Sequence, residues 1–524
     1  MEQSIGVLSL VPPLLVVALA ILTKNVLISL LLGVVLGLFL SSVGSSSVLN
    51  ALVNIIPDSI DIITKVVSDA DNVHLLIFLA LLGGLIAVMT AAGCAGAFSA
   101  FAVRKIKSRT HAQLATLLLG CIIFIDDYFN AITVGNIMVP ITDKFRISRA
   151  KLAYIIDSTS APVTILMPVS SWVATVISIM LPALTAYGFS GGGMNAFIHA
   201  CCYNYYAWFT LLMVFLVAVR KFDIGSMAGF EKSFLETGED RSVFIDINES
   251  VIDDMANGRK GTAVDMIVLI TVLVVLSLLF MVSNGGFFSR GVPLGAAFME
   301  CDTMLSLVYA VIVTLVLAFV MFVPFGKLSL KQFDKAFIQG IKSMVSAICI
   351  LIASWAFSEI LGDEGLGTGR YVANAVGGWL PYWLMPAVLF VISAFISFTT
   401  GASWGAMTIM LPTSIAICSA VDPSSIHAVL GATLSGAVFG DHCSPVSDTT
   451  VLSSSGAGCR HLDHVMSQIP YAVIVAVNSI AAFLAASAAS SAVVGFFVGL
   501  ALMLACIFGW DLWAKKRAGS SAAK

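Results

Sequence analysis

Charge is what this chain has least of. Only 11% of its 524 residues are Asp, Glu, Lys or Arg, against 59% that are hydrophobic, where soluble domains carry about 25% charged residues. That composition, with a mean hydropathy of +1.00, excludes a soluble globular domain and describes a polytopic membrane protein. An excess of positive charge is missing as well. The net charge is −3, which gives nucleic acid nothing to bind. The ten cysteines are scattered, with no Cys-x-x-Cys pair. Zinc ribbons and disulfide scaffolds are set aside, and the thiols are read as small buried hydrophobes. Met1-Glu-Gln-Ser-Ile lacks a basic run, so no cleavable leader is expected and the first apolar stretch reads as a span.

A span needs about 20 apolar residues. Continuous candidates lie at 4–23, 26–42, 74–93, 200–219, 263–283, 303–323, 338–360, 469–489 and 492–513. Segments 152–185 and 426–455 are long enough to cross but are broken by proline and polar residues. Segments 112–142 and 383–414 are apolar arms around a polar centre. Basic clusters choose the sides: Lys24, Arg104 to Arg109, Lys144 to Lys151, Arg220 with Lys221, Lys327 to Lys335, and Lys515 to Arg517. Placing all of them in the cytoplasm puts the N-terminus outside, the C-terminus inside, and the loops 43–73 and 284–302 outside. Segment 112–142 then starts and ends on the cytoplasmic side and segment 383–414 on the outer side. Each reads as a re-entrant hairpin, with tips near Asp126 to Asn130 and Ser397 to Ser403.

The two halves overlay. Asn136-Ile-Met-Val-Pro140 matches Thr408-Ile-Met-Leu-Pro412, and Asp157-Ser-Thr-Ser-Ala-Pro162 matches Gly440-Asp-His-Cys-Ser-Pro445. The reading is an all-α protein of about 11 spans plus two re-entrant hairpins, built as inverted repeats with broken helices, the plan of secondary transporters. Its parts are N-terminal spans (1–73), a first repeat (74–219), a cytoplasmic connector (220–262), linking spans (263–337), a second repeat (338–489), and a last span with a basic tail (490–524).

Four polar clusters sit at membrane depth, where ionisable groups are costly and mark function. The first hairpin tip offers Asp126, Asp127, Asn130 and Thr133. The first broken helix offers Asp157, Ser158, Thr159 and Ser160, and the second hairpin tip Thr399, Thr400 and Ser403. The second broken helix offers Asp441, His442, Ser444, Ser447, Asp448 and Thr449. Hydroxyls, amides, carboxylates and freed carbonyls suit Na⁺, expected near Asp157, Asn130, Asp441 and Asp448. His442 or a buried Asp is the expected proton carrier. Plainer readings stand beside these. Single hydroxyls in membrane helices usually bond their own helix or a neighbour, Trp172 and Trp404 read as packing, and His461 and His464 as interfacial residues without function.

The run Gly440 to Gly456, followed by His464 and Gln468-Ile-Pro-Tyr471, closely resembles the signature of the NhaC-type Na⁺/H⁺ antiporter family. So do Ile125-Asp-Asp-Tyr-Phe-Asn130 with Thr133-Val-Gly135, and Lys151 to Pro162. The resemblance covers about 70 to 490. It implies membership of the ion-transporter superfamily: a scaffold, an elevator-type transport domain with two hairpins, Na⁺ and H⁺ as coupling ions, and a homodimer. Spans outside the repeats are then scaffold.

A Na⁺-coupled secondary transporter of the cell membrane is the leading reading, exchanging Na⁺ for H⁺ by alternating access. The alternative is Na⁺-coupled movement of an organic solute, an amino acid or small carboxylate. From another class, Phe439-Gly-Asp441 is similar to an intramembrane aspartyl protease site, but Val438 stands where its first glycine belongs. No enzyme and no cofactor is expected.

Overall fold

The computed structural model describes residues 6–23, 25–43, 47–124, 126–168, 170–189, 192–220, 222–244, 261–299, 301–362, 365–368, 371 and 381–522. Lys24, Ile125, Lys221 and the connector acids Asp246, Glu249, Asp253 and Asp254 lie outside the described residues.

Helix follows helix. A 3-10 turn, Gly6–Leu10, leads into α1 (Val11–Thr23), α2 (Val26–Val43), α3 (Val48–Ser68), α4 (Ala70–Ala91) and α5 (Cys94–Lys105). Then come α6 (Arg109–Ile122), α7 (Asp127–Lys144), α8 (Arg149–Asp157), α9 (Ala161–Thr164), α10 (Ser171–Ala186), α11 (Gly193–Cys202), α12 (Tyr205–Arg220) and α13 (Gly225–Thr237). Past the connector are α14 (Ala263–Asn284), the short α15 (Phe287–Arg290) and α16 (Leu294–Met299), α17 (Thr303–Phe322) and α18 (Leu330–Leu361). The last group is α19 (Met385–Thr400), α20 (Ser403–Val421), α21 (Ile426–Cys443), α22 (Asp448–Ala457), α23 (His461–Ala489) and α24 (Ala492–Ala522).

Seven helical stretches among the described residues are long and apolar enough to cross a membrane: Asn72–Ala91, Ala263–Arg290, Thr303–Phe322, Leu330–Leu361, Ser403–Val421, His461–Ala489 and Ala492–Trp510. Their outer faces carry exposed Leu279, Val316 and Val477, the surface expected of helices solvated by lipid. The expected spans 4–23 and 200–219 are shorter, while 26–42 is the 18-residue α2. The first is divided between the 3-10 turn and α1, and α12 runs only 16 residues. Ser403–Val421, expected as a hairpin arm, is itself of spanning length. The stretch 43–73, read as a loop, holds the 21-residue α3. Its Leu49, Leu52, Val53, Ile56 and Ile60 recur at helical spacing on an exposed face, a periodicity that polar neighbours hid.

Side-chain caps set the helix starts. Asp126 accepts from Phe129 N to open α7, Ser148 from Lys151 N to open α8, and Ser447 from Thr450 N to open α22. Each satisfies an orphan donor of a first turn. Two close approaches then bring the polar segments together. At the crossing of α7 and α22, a Cβ on Gly135 would stand 2.5 Å from the Gly456 backbone, so only glycine fits. Between α19 and α20 the chain turns through Gly401 at φ +69, whose Cβ position is filled by the Val446 carbonyl, 2.6 Å away.

The connector is more than a tether. Ser148 N donates to Glu231 Oε1 (2.7 Å), Arg149 N to Asp240 Oδ2 (2.6 Å) and Ala150 N to Ser242 Oγ (3.1 Å). Three orphan amides at the start of α8 are thus satisfied by connector side chains. Glu231, 2% exposed, also meets Arg109 and the Lys151 ammonium, which in turn reaches Asp223 at 2.5 Å. Burial pushes the Asp223 carboxyl above its usual range, and Lys151 pulls it back. On the other side, Phe244 N donates to Gly458 O and Arg460 N to Ser242 O, so the connector touches the ends of both α8 and α22.

Candidate functional site

Both expected breaks exist. The first follows Asp157, the last residue of α8, where Ser158, Thr159 and Ser160 precede Pro162 in the first turn of α9. The second lies between Cys443 and Asp448, around Pro445. A break in a helix frees carbonyls that must be satisfied. At the second break Ser444 O accepts from Thr450 Oγ1 (3.0 Å), Pro445 O from His461 Nε2 (2.8 Å) and Val446 O from Ser354 Oγ (2.7 Å). At the first, Asp157 O accepts from Ser160 Oγ, Thr159 O from Asn130 Nδ2 and Ser160 O from Thr164 Oγ1. These carbonyls, expected as Na⁺ ligands, are therefore already engaged by the protein.

Asp157 is the hub of the first break. It sits at a helix C-terminus, where the backbone dipole disfavours an anion, and three donors answer that cost. Ser453 Oγ reaches its Oδ1 at 3.2 Å, while His464 Nε2 (3.2 Å) and Gln468 Nε2 (2.6 Å) reach Oδ2. The His442 ring lies behind. Tyr206 OH is 2.7 Å from its Nδ1, and its Nε2 lies 3.3 Å from Ser158 Oγ and 3.8 Å from Asp157 Oδ2. Gln468 also donates to the His442 carbonyl.

The second break meets residues beside both helix reversals. Ser403 Oγ, at the start of α20, donates to Asp441 Oδ2 at 2.6 Å. Tyr128 OH, beside the first hairpin tip, donates to Asp448 Oδ2 at 2.6 Å. Asp127 Oδ1 accepts from Trp172 Nε1 at 2.9 Å. The four clusters expected from sequence do converge, through contacts between Asp157 and α22, Asn130 and the first break, Tyr128 and Asp448, and Ser403 and Asp441.

Among the described residues, five buried side-chain oxygens in this region have no hydrogen-bond partner: Asp127 Oδ2, Asn130 Oδ1, Thr133 Oγ1, Asp441 Oδ1 and Gln468 Oε1. The Asn130 amide cannot be turned over to relieve this. Its nitrogen serves three carbonyls, Gly120 O and Ile123 O at 2.7 Å and Thr159 O at 3.0 Å, so its oxygen must face the other way. Buried acceptors without donors are costly.

Other expected residues have structural duties. Thr159, Thr399 and Thr400 bond back to carbonyls of their own helices, Ser444 to Phe398 O, and Ser447 caps α22 with Thr449 at 2.9 Å. His461 and His464 correct the sequence reading. Neither is a bystander at an interface: His464 is fully buried on Asp157 and His461 holds the Pro445 carbonyl. The signal was present. Positions 461, 464, 468 and 471 share one helical face, but Arg460 and Asp463 nearby suggested water. Tyr128, Tyr206 and Ser453 were also missed; each stands among other polar residues, and sequence order does not show which of them reaches an acid or an imidazole.

A cavity of about 650 Å³ opens beside the first hairpin tip, lined in part by Asp126, Asp127, Tyr128, Trp172 and Trp404. The two indoles stand 4.7 Å apart between centroids, tilted by 53°.

An all-helical architecture with lipid-type outer faces and a buried, ion-paired interior defines a multi-pass membrane protein. A model of the Na⁺/H⁺ antiporter family matches residues 163–489, and the chain belongs to that family. A protein of Haemophilus influenzae described as uncharacterized is 37% identical over 97% of this chain and 96% of its own length. The malate-2H⁺/Na⁺-lactate antiporter of Bacillus subtilis is 32% identical over 28% of this chain and 32% of its own. The arginine/ornithine antiporter ArcD of Halobacterium salinarum is 35% identical over 26% of each. The chain is a secondary transporter and not an enzyme.

Proposed function

We propose that the protein exchanges Na⁺ for H⁺ by alternating access. One observation carries this: Asp127, Asn130, Thr133 and Asp441 each present a buried oxygen without a donor, the ligand type a small hard cation takes. Na⁺ is placed among these oxygens, with Asp157, Asp441 and Asp448 as the carboxylates that gain from its charge. The proton is carried within the Asp157–His442–His464 group, where a carboxylate and two imidazoles meet. In this reading the repeats 74–219 and 338–489 form the moving domain, their hairpins re-entrant, and the spans 1–73 and 263–337 form an elevator-type scaffold in a homodimer. The chain lies in the cell membrane with its N-terminus outside. The cavity, bordered by Asp69 and Asp302, then opens outward.

The test is a pH dye inside proteoliposomes. An inward Na⁺ gradient should make the lumen alkaline, and K⁺ should not. No Na⁺-dependent signal from monodisperse, reconstituted protein rejects the exchange.

A second reading, Na⁺-coupled movement of an organic solute, is favoured by the cavity. Its 650 Å³ falls in the range of roughly 300–1,000 Å³ that small-molecule sites occupy, more than a bare ion needs. Two similar proteins named above are antiporters of organic solutes. Labelled-solute uptake under a Na⁺ gradient separates the two versions.

A further inference from the structure

We propose that this cavity takes an organic primary ammonium, and not a carboxylate. The proposal rests on the chain being a transporter that admits an organic solute, and it names the charge of that solute.

The lining supplies the argument. Four carboxylates border the cavity, from Asp69, Asp126, Asp127 and Asp302. Among its described lining residues there is no Lys, Arg or His. A carboxylate entering here would face these acids with no basic side chain to pair with. Three of these acids are the caps of the helix starts around the cavity. Asp69 accepts from Asn72 N, Asp126 from Phe129 N and Asp302 from Leu305 N; Asp302 also meets His74 at 3.8 Å. Three of the acids are thus occupied by their own helices.

Asp127 differs. Trp172 Nε1 holds its Oδ1 at 2.9 Å, while Oδ2 has no partner on a residue only 2% exposed. That oxygen needs a donor. An ammonium is donor only. The rest of the wall is aromatic: Trp172, Trp355 and Trp404 all line the cavity, the first and last packed 4.7 Å apart. Indole faces attract cations and suit the alkyl or aryl body of an amine, whereas a bare Na⁺ gains nothing from them that oxygen would not supply better. One carboxylate oxygen lacking a donor, an indole that fixes its twin, and a wall of further indoles form a site for a cation with an apolar body.

The probe is 2-phenylethylammonium, set against 3-phenylpropanoate, which has a similar body and the opposite charge. Tryptophan fluorescence of the purified full-length protein should change saturably with the ammonium and at least tenfold more weakly with the carboxylate, a ratio of about 1.4 kcal/mol. Asp127→Asn should weaken the ammonium by about tenfold or more and Trp404→Leu by several-fold. Equal or tighter binding of the carboxylate overturns the proposal, and that comparison needs only the wild-type protein. So does an ammonium affinity unchanged in Asp127→Asn. The Na⁺-driven pH signal is read on the same preparation. Exchange without ammonium binding sinks this proposal alone; ammonium binding without exchange sinks the Na⁺/H⁺ reading alone; absence of both sinks both.

Discussion

Gln468 Nε2 lies 2.6 Å from Asp157 Oδ2, across 311 residues of sequence. The same amide nitrogen reaches the carbonyl of His442. One side chain of α23 thus ties the end of α8 to the end of α21, and both breaks share it.

Asp157→Asn tests the hub. Asparagine keeps the shape and removes the negative charge that Ser453, His464 and Gln468 converge on. Na⁺-driven proton movement in proteoliposomes is expected to fall to background, while the variant elutes as the wild type on size exclusion. Wild-type rates in this variant remove Asp157 from the ion path.

The Asp157–Gln468 contact should be energetically coupled. Gln468→Leu leaves a buried carboxylate one donor short, which costs about 1–3 kcal/mol. A double-mutant cycle with Asp157→Asn, read as thermal stability in detergent, should return a coupling of roughly 0.5–3 kcal/mol. Additive shifts would show that the two side chains do not depend on each other.

Glu231 is the sharpest stability test. It is 2% exposed and faces Arg109, Lys151 and the Ser148 amide together. Removing one partner of a buried ion pair costs about 3–5 kcal/mol, so Glu231→Leu should lower the melting temperature by many degrees. Pairing it with Lys151→Met should recover much of the loss. A single variant that melts with the wild type contradicts the burial.

The helix crossing at Gly135 tolerates no side chain. Gly135→Ala places a Cβ 2.5 Å from the Gly456 backbone, an overpacking expected to cost about 1–3 kcal/mol. Thermal melting reads the cost. Gly96→Ala, where a Cβ would meet nothing within 4 Å, is the matched control and should melt near the wild type.

Much of this arrangement was legible from residue order. Proline and hydroxyl clusters at 158–162 and 444–450 marked both breaks, because a missing N–H and competing side-chain bonds stop a helix wherever they fall. Small polar tips at Asp126 and Gly401 marked both reversals. The partners of the acids were less visible. Tyr128 and Ser453 stand inside the polar motifs, but which acid each one meets depends on helix packing hundreds of residues away. The carbonyls freed at the breaks looked available for a cation until His461, Thr450 and Ser354 were found on them. Sequence shows that a group is freed, but packing decides who takes it. The connector's contacts were hidden for a related reason: residue order does not show that Glu231 and Asp240 face inward to amides that α8 leaves open.

Glu231 grips Arg109 of α6 and Lys151 of α8 at once, so α13 cannot shift without them. A stretch that reads as a slack rope between two halves is therefore a handle. Whatever holds α13 also holds α8, whose last residue, Asp157, lies fewer than two turns beyond Lys151.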